Sequence, residues 1–332
     1  MSGEAVAYHL RQNKHVDRQL FAEILSYVDR YAPVGKALYV SFGGVYFEDF
    51  KLIHNVFGAN KLLSIEEIPW ILKRQKHNKP LGCIRCEELK SRALVTKIND
   101  YRAEFGDPSL ICWLDFASRD RRAQLEDVSV LLKNCRAGDV VRVTLNANPA
   151  TFGEQREGEL ITARDARRLA SLREKLADKL PGEVDEQDLK KDAFPALMLR
   201  MLKLEMLTAM ESQPELQFQP LGSYSYADSQ HTMLTVTGIV LEAEKVREFI
   251  QRTRIKEFKF SGLKWELHRI NVPLLSQREK LILDQKYKTA TPSKISRGLG
   301  FQVAKTKPES YVMLRDYFDF HRYYPHFHRI QY

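Results

Sequence analysis

The sequence predicts an α/β protein: a doubly wound, mostly parallel sheet that ends in an antiparallel hairpin. Three observations predict it. Short apolar runs of strand length alternate with amphipathic segments of helical period between residues 16 and 149. That rhythm requires crossovers, so the sheet is parallel and covered on both faces. After residue 214, two long apolar stretches meet at a tight turn around Asp228-Ser229, the signature of a hairpin.

The elements follow in order. "VDRQLFAEILSYVDRYA" sets Val16, Leu20, Phe21, Ile24, Leu25 and Val28 on one helical face and ends near Pro33. "KALYVSF" is a buried strand stopped by Gly43-Gly44. "YFEDFKLIHNVFG" is a helix with Gly58 as its C-terminal cap. "KLLSIEE" is the second strand, and "IPWILKRQK" a helix that carries Pro69 in its first turn. "PLGCIRCEE" is the third strand and "SLICWLDFAS" the fourth, followed by a helix in "LEDVSVLLKNCRAGD" that is capped near Gly138. "DVVRVTLNANP" is the fifth. Two charged helical segments fill residues 151–210, and the hairpin runs from Leu216 to Leu241. "EKVREFIQRT" is a short helix, "IKEFKFSG" a further strand, and the rest is mixed helix and loop. The expected organisation is a sheet domain over 1–150 and 211–272, a helical insertion over 151–210, and a basic, aromatic-rich extension over 273–332.

Composition narrows the class. A hydrophobic fraction of 44% suits a globular chain and excludes a mostly disordered one. No apolar run is long enough to span a bilayer, and the first residues lack the apolar core of a signal peptide, so a cytoplasmic protein without a membrane partner is expected. Cys83 and Cys86 form a lone C-x-x-C with no second pair or histidines at metal spacing, so ordinary buried thiols are expected and no metal. The net charge of +9 permits a polyanionic partner. From Ser276 onward, eleven Lys and Arg stand against five Asp and Glu. The final segment mixes Arg322 and Arg329 with aromatic rings, which suits either base stacking or docking onto the sheet.

In open α/β sheets the ligand lies beyond the carboxyl ends of the strands. That rule selects Gly43-Gly44, Glu66, the segment after Cys83, Asp115-Phe116 and Asn146. Glycine allows backbone angles and close approach that other residues do not, although any strand-to-helix turn uses the same freedom. A carboxylate such as Glu66 can accept bonds from two hydroxyls at once, or favour the positive end of the next helix. Asp115 suits either a reacting group or a helix cap. The phosphate-binding G-x-x-x-x-G-K-[ST], the nicotinamide-type G-x-G-x-x-G and the hydrolase G-x-S-x-G are all missing.

Five parallel strands followed by an antiparallel hairpin, with "SFGG", "SIEE", "CIRCEE" and "WLDFAS" at the strand ends, resemble the class I S-adenosylmethionine-dependent methyltransferases over roughly residues 14–150 and 214–243, and resemble uncharacterised bacterial O-methyltransferases. The resemblance implies a seven-stranded sheet and S-adenosylmethionine as cofactor. It implies that Phe42, Gly43 and Gly44 approach the methionine part, that Glu66 or Glu67 binds the ribose, and that Cys86 lies beside the adenine. Asp115 and Phe116 would lie near the methyl group. Asp115 would then act on the acceptor, with Tyr224 and Tyr226 of the hairpin on the substrate side. The glycine turn departs from the family's richer pattern, because only Gly43-Gly44 is present and bulky Tyr46 and Phe47 follow. The acceptor is not legible. A methyltransferase-like binding protein acting in a complex and a nucleic-acid-binding protein are the competing expectations.

Overall fold

The five predicted parallel runs and the two hairpin runs become strands of one eight-stranded sheet, in the order β3-β2-β1-β4-β5-β7-β6-β8. The computed structural model describes residues 11–116, 118–228, 231–286 and 289–325. The parallel strands are β1 (Leu38–Ser41), β2 (Lys61–Glu66), β3 (Ile84–Glu88), β4 (Leu110–Asp115) and β5 (Val140–Asn146). The hairpin strands β6 (Leu216–Asp228) and β7 (His231–Glu242) are antiparallel, and β7 lies against β5. Chain order reverses between β1 and β4, so their carboxyl ends open a crevice.

Two apolar layers hold the sheet. Leu38, Val40, Leu63, Cys112, Leu114 and Val143 face one way. Against them lie α4 (Ser91–Thr96), α5 (Ile98–Glu104), α6 (Arg121–Lys133), α7 (Ile161–Leu176) and α8 (Phe194–Met210). Tyr39, Leu62, Ile111 and Trp113 face the other way, as alternation along a strand requires. That layer is closed by α1 (Gln12–Val28), α2 (Glu48–Phe57), α3 (Pro69–Asn78) and α9 (Val246–Thr253). It also receives Leu283 of α10 (Gln277–Lys286), Ile295 of α11 (Pro292–Leu299) and Leu314, Tyr317 and Phe320 of α12 (Lys307–Phe320). Each large apolar side chain buried in this way stabilises the fold by about 1.5–3 kcal/mol before entropy is counted.

Several expectations need correction. "IKEFKFSG" is a short 3-10 turn at Ile255–Glu257 and loop, not a strand. The extra strand is β8 (Leu267–Ile270), parallel to β6. Residues 89–104, left unassigned by periodicity, contain α4 and α5, each too short to display a helical stripe. The helix after β4 begins earlier than its apolar pattern, because Asp120 caps it by accepting from Ala123 N. It stops at Lys133, and Gly138, at φ 93°, instead turns the chain into β5. Arg329 and Ser229 lie outside the described residues. Among those described, no helix is long and apolar enough to cross a membrane, and all four cysteines are free thiols.

Candidate functional site

The crevice occupies about 220 Å³ at the carboxyl ends of β1, β2 and β4. Its first wall is the turn after β1. Gly43 and Gly44 adopt φ of 64° and 55°, the left-handed region that glycine tolerates. They differ in what surrounds them. A Cβ on Gly43 would collide with Ser64 Oγ and press on the Phe47 ring, whereas one on Gly44 would meet nothing within 4 Å. Gly43 therefore serves the packing of the turn, and Gly44 leaves open space in the crevice. Gln75, fully buried on α3, braces the same turn: its Nε2 donates to Phe42 O at 2.9 Å, and its Oε1 accepts from Ser64 Oγ at 3.1 Å.

Phe47 does not crowd the site. It takes a left-handed conformation of its own, φ 52°, and buries its ring edge-on against Phe50. Tyr46 stays at the crevice and is 40% exposed.

The second wall comes from β2. Glu66 and Glu67 line the crevice, and Glu66 Oε1 accepts from Ile68 N at 2.9 Å, which steadies the entry to α3. Glu66 thus has the turn role as well as a place in the crevice. The β4 end contributes Asp115 and Phe116, and the Phe116 ring meets Phe42 edge-on at 5.9 Å. Asp115 is not the cap of the following helix, since Asp120 holds that place. Its carboxylate instead accepts from Lys14 Nζ at 2.9 Å, and the Lys14 side chain is only 5% exposed. Glu48 and Asp49, in the first turn of α2, complete the acidic rim. Asp49 Oδ2 accepts from Tyr39 Oη at 2.7 Å, and burial together with that carboxylate holds the Tyr39 phenol well above its ordinary range.

Four predicted site residues lie elsewhere. Asn146, at the end of β5, does not line the crevice; its Oδ1 accepts from Asn148 N at 3.0 Å and its backbone oxygen from Arg121. Cys86 pairs in register with Ser64, whereas Glu66 and Glu88 pair at the strand ends. It therefore sits two residues below the crevice, buried, with its thiol pushed up by burial; Leu89 supplies the wall from this strand's end. Tyr224 and Tyr226 lie on β6, three strands from β4, or roughly 14 Å at ordinary strand spacing. Both are core residues, and Tyr224 Oη donates to Phe260 O at 2.9 Å. The hairpin is tied to the helix that walls the site: Asn13 Nδ2 of α1 donates to Ala227 O, and Asn13 Oδ1 accepts from Val272 N beyond β8.

Four charged site residues were not foreseen: Glu48 and Asp49 of α2, and Lys14 and Arg18, both from α1. The apolar stripe of that helix, carried back two turns from Leu20, reaches Asn13, Lys14, Asp17 and Arg18, and all four are buried. Polar side chains on the buried face of an amphipathic helix were the available signal.

The residues fit an adenosyl cofactor. Gly44 leaves room for close approach, Glu66 presents a carboxylate suited to a diol, and the acidic rim suits a sulfonium cation.

The profile of a family described as "putative O-methyltransferase" matches residues 6–332. No curated protein matches the chain. Among solved structures, the chain is similar to a SAM-dependent methyltransferase from Anabaena variabilis, with 10% identity, 70% of this chain and 87% of that one covered, and a TM-score of 0.37. It is similar to a protein of the DUF574 family from Streptomyces avermitilis, with 12% identity, 68% and 83% covered, and a TM-score of 0.38. It is similar also to human N-acetylserotonin methyltransferase in complex with SAM, with 12% identity, 68% and 55% covered, and a TM-score of 0.30.

Proposed function

Because the chain belongs to the O-methyltransferase family whose profile spans residues 6–332, we propose that its crevice binds S-adenosylmethionine and that the protein transfers the methyl group to an oxygen of an acceptor. One observation carries the reading: Gly43-Gly44, Glu66 and Asp115-Phe116, from three separate strand ends, converge on a single crevice where the strand order reverses.

When bound, the cofactor supplies an electrophilic methyl group on a sulfonium. The chain's own residues do the rest. The Gly44 backbone would let the ligand approach the turn, and Glu66, its Oε1 tied to Ile68 N, would hold the ribose hydroxyls. The acidic rim favours the cation. Asp115, oriented by Lys14, accepts the proton of an acceptor hydroxyl placed beside it. Phe42 and Phe116 exclude water and help hold the two reactants in line.

Calorimetry tests the reading. Titration of the folded chain with S-adenosylmethionine or S-adenosylhomocysteine is expected to give saturable one-to-one binding, and absence of heat at millimolar ligand would overturn it.

A further inference from the structure

Three acids of the crevice have a hydrogen-bond partner within the protein. Asp115 holds Lys14, Asp49 accepts from Tyr39, and Glu66 accepts from a backbone amide. Arg18 differs. It lies one helical turn beyond Lys14 on α1, lines the crevice, and is 8% exposed. Yet among the described residues its side chain makes no hydrogen bond, ion pair or ring contact. An arginine stays protonated in proteins, so the fold holds a permanent charge in the crevice wall with no direct partner, its side chain mostly covered and its guanidinium open to the crevice. Burial of an unpaired charge is costly, and a helix meant only to pack would carry an apolar residue there.

We propose that Arg18 is the carboxylate-binding residue of this crevice, its planar guanidinium kept unpaired for a bidentate bond to a ligand. A phosphate is less suited, because Glu48, Asp49, Glu66 and Asp115 share the crevice and would repel a dianion. Two ligands can bring a carboxylate here: the methionine end of the cofactor, or an acidic acceptor. Only the first depends on the cofactor reading above.

The test is calorimetry on the full chain, wild type against Arg18→Met, which keeps the stem and removes the charge. The ligands are S-adenosylmethionine, its decarboxylated form, and benzoate added over saturating S-adenosylhomocysteine. If the cofactor supplies the carboxylate, the wild type prefers S-adenosylmethionine over the decarboxylated form by at least about tenfold, and Arg18→Met erases the preference. If the acceptor supplies it, the two cofactor forms bind equally, and Arg18→Met loses the benzoate binding shown by the wild type. Should the wild type bind neither cofactor form, the cofactor reading fails, and benzoate added alone still decides the role of Arg18. Unchanged binding of all three ligands overturns the proposal.

Melting without ligand gives an independent readout. Arg18→Met is expected to melt above the wild type, since it relieves the unpaired charge. A lower melting temperature, or failure to fold, would assign Arg18 a structural role and overturn the proposal. Arg18→Lys, which keeps the charge but not the fork, is expected to fold and to lose at least about tenfold in the arm that Arg18→Met affects; full retention there would also overturn it.

Discussion

Arg142 on β5 and Asp17 on α1 meet at 2.6 Å with neither side chain exposed. The guanidinium also lies 4.5 Å from the ring centres of both Phe21 and Trp113, and it donates to Thr237 Oγ1. This pair fixes the helix that walls the crevice onto the middle of the sheet. Removing one partner leaves an uncompensated charge. Asp17→Ala is therefore expected to cost about 3–5 kcal/mol in urea unfolding. Replacing both, as Asp17→Leu with Arg142→Met, should recover most of that loss. A double variant no more stable than the single one would show that the pair matters through more than its charges.

The two glycines of the β1 turn should separate by experiment. Gly43→Ala meets both backbone strain and Ser64, and is expected to lower stability by roughly 2 kcal/mol or more. Gly44→Ala meets the strain alone and should cost about 1 kcal/mol while filling crevice space. Thermal melts combined with cofactor titrations check both. Equal losses of stability would contradict the packing role assigned to Gly43.

Glu66→Gln keeps an oxygen to accept from Ile68 N and removes the charge. Melting should barely change, while S-adenosylmethionine binding weakens by about 1.5–3 kcal/mol, roughly tenfold to a hundredfold. Unaltered affinity by calorimetry would remove Glu66 from the ribose site.

Stability should fall at alkaline pH. Burial raises the Cys86, Cys112 and Cys135 thiols above their ordinary 9.0, and burial likewise raises the Tyr39 and Tyr224 phenols above 10.0. The unfolded chain releases these protons first, so it binds fewer protons than the native state as pH rises from 9, and the free energy of unfolding falls with pH. Well below 9 these groups are protonated in both states and contribute a constant. The urea midpoint is expected to be flat across these groups' contribution up to pH 8.5 and to drop steadily between pH 9 and 10.5. A midpoint that rises over that upper interval would refute the assignment.

Much of the sheet was legible because its strands are short, apolar and closed by polar residues. The same regularity placed Gly43-Gly44, Glu66 and Asp115 together, since parallel strands bring every carboxyl end to one edge. What periodicity could not supply was position across the sheet. Tyr224 and Tyr226 follow from a hairpin that was correctly read, but β7 rather than β6 lies beside β5, and this carries both rings away from the crevice. Cys86 was missed by register, two residues below the strand end. Lys14 and Arg18 were hidden for another reason: an apolar stripe marks a buried face only while its residues remain apolar, and here the face continues into charge.

The order of synthesis has a consequence for this architecture. Helix α1 precedes every strand on which it depends, and its polar contacts bridge 101 residues to Asp115, 125 to Arg142, 214 to Ala227 and 259 to Val272. Contacts so distant along the chain form late. The wall that carries Lys14 and Arg18 is thus translated early and seated late, and a nascent chain halted before Val272 would have made most of its sheet while its crevice still lacked the last tether.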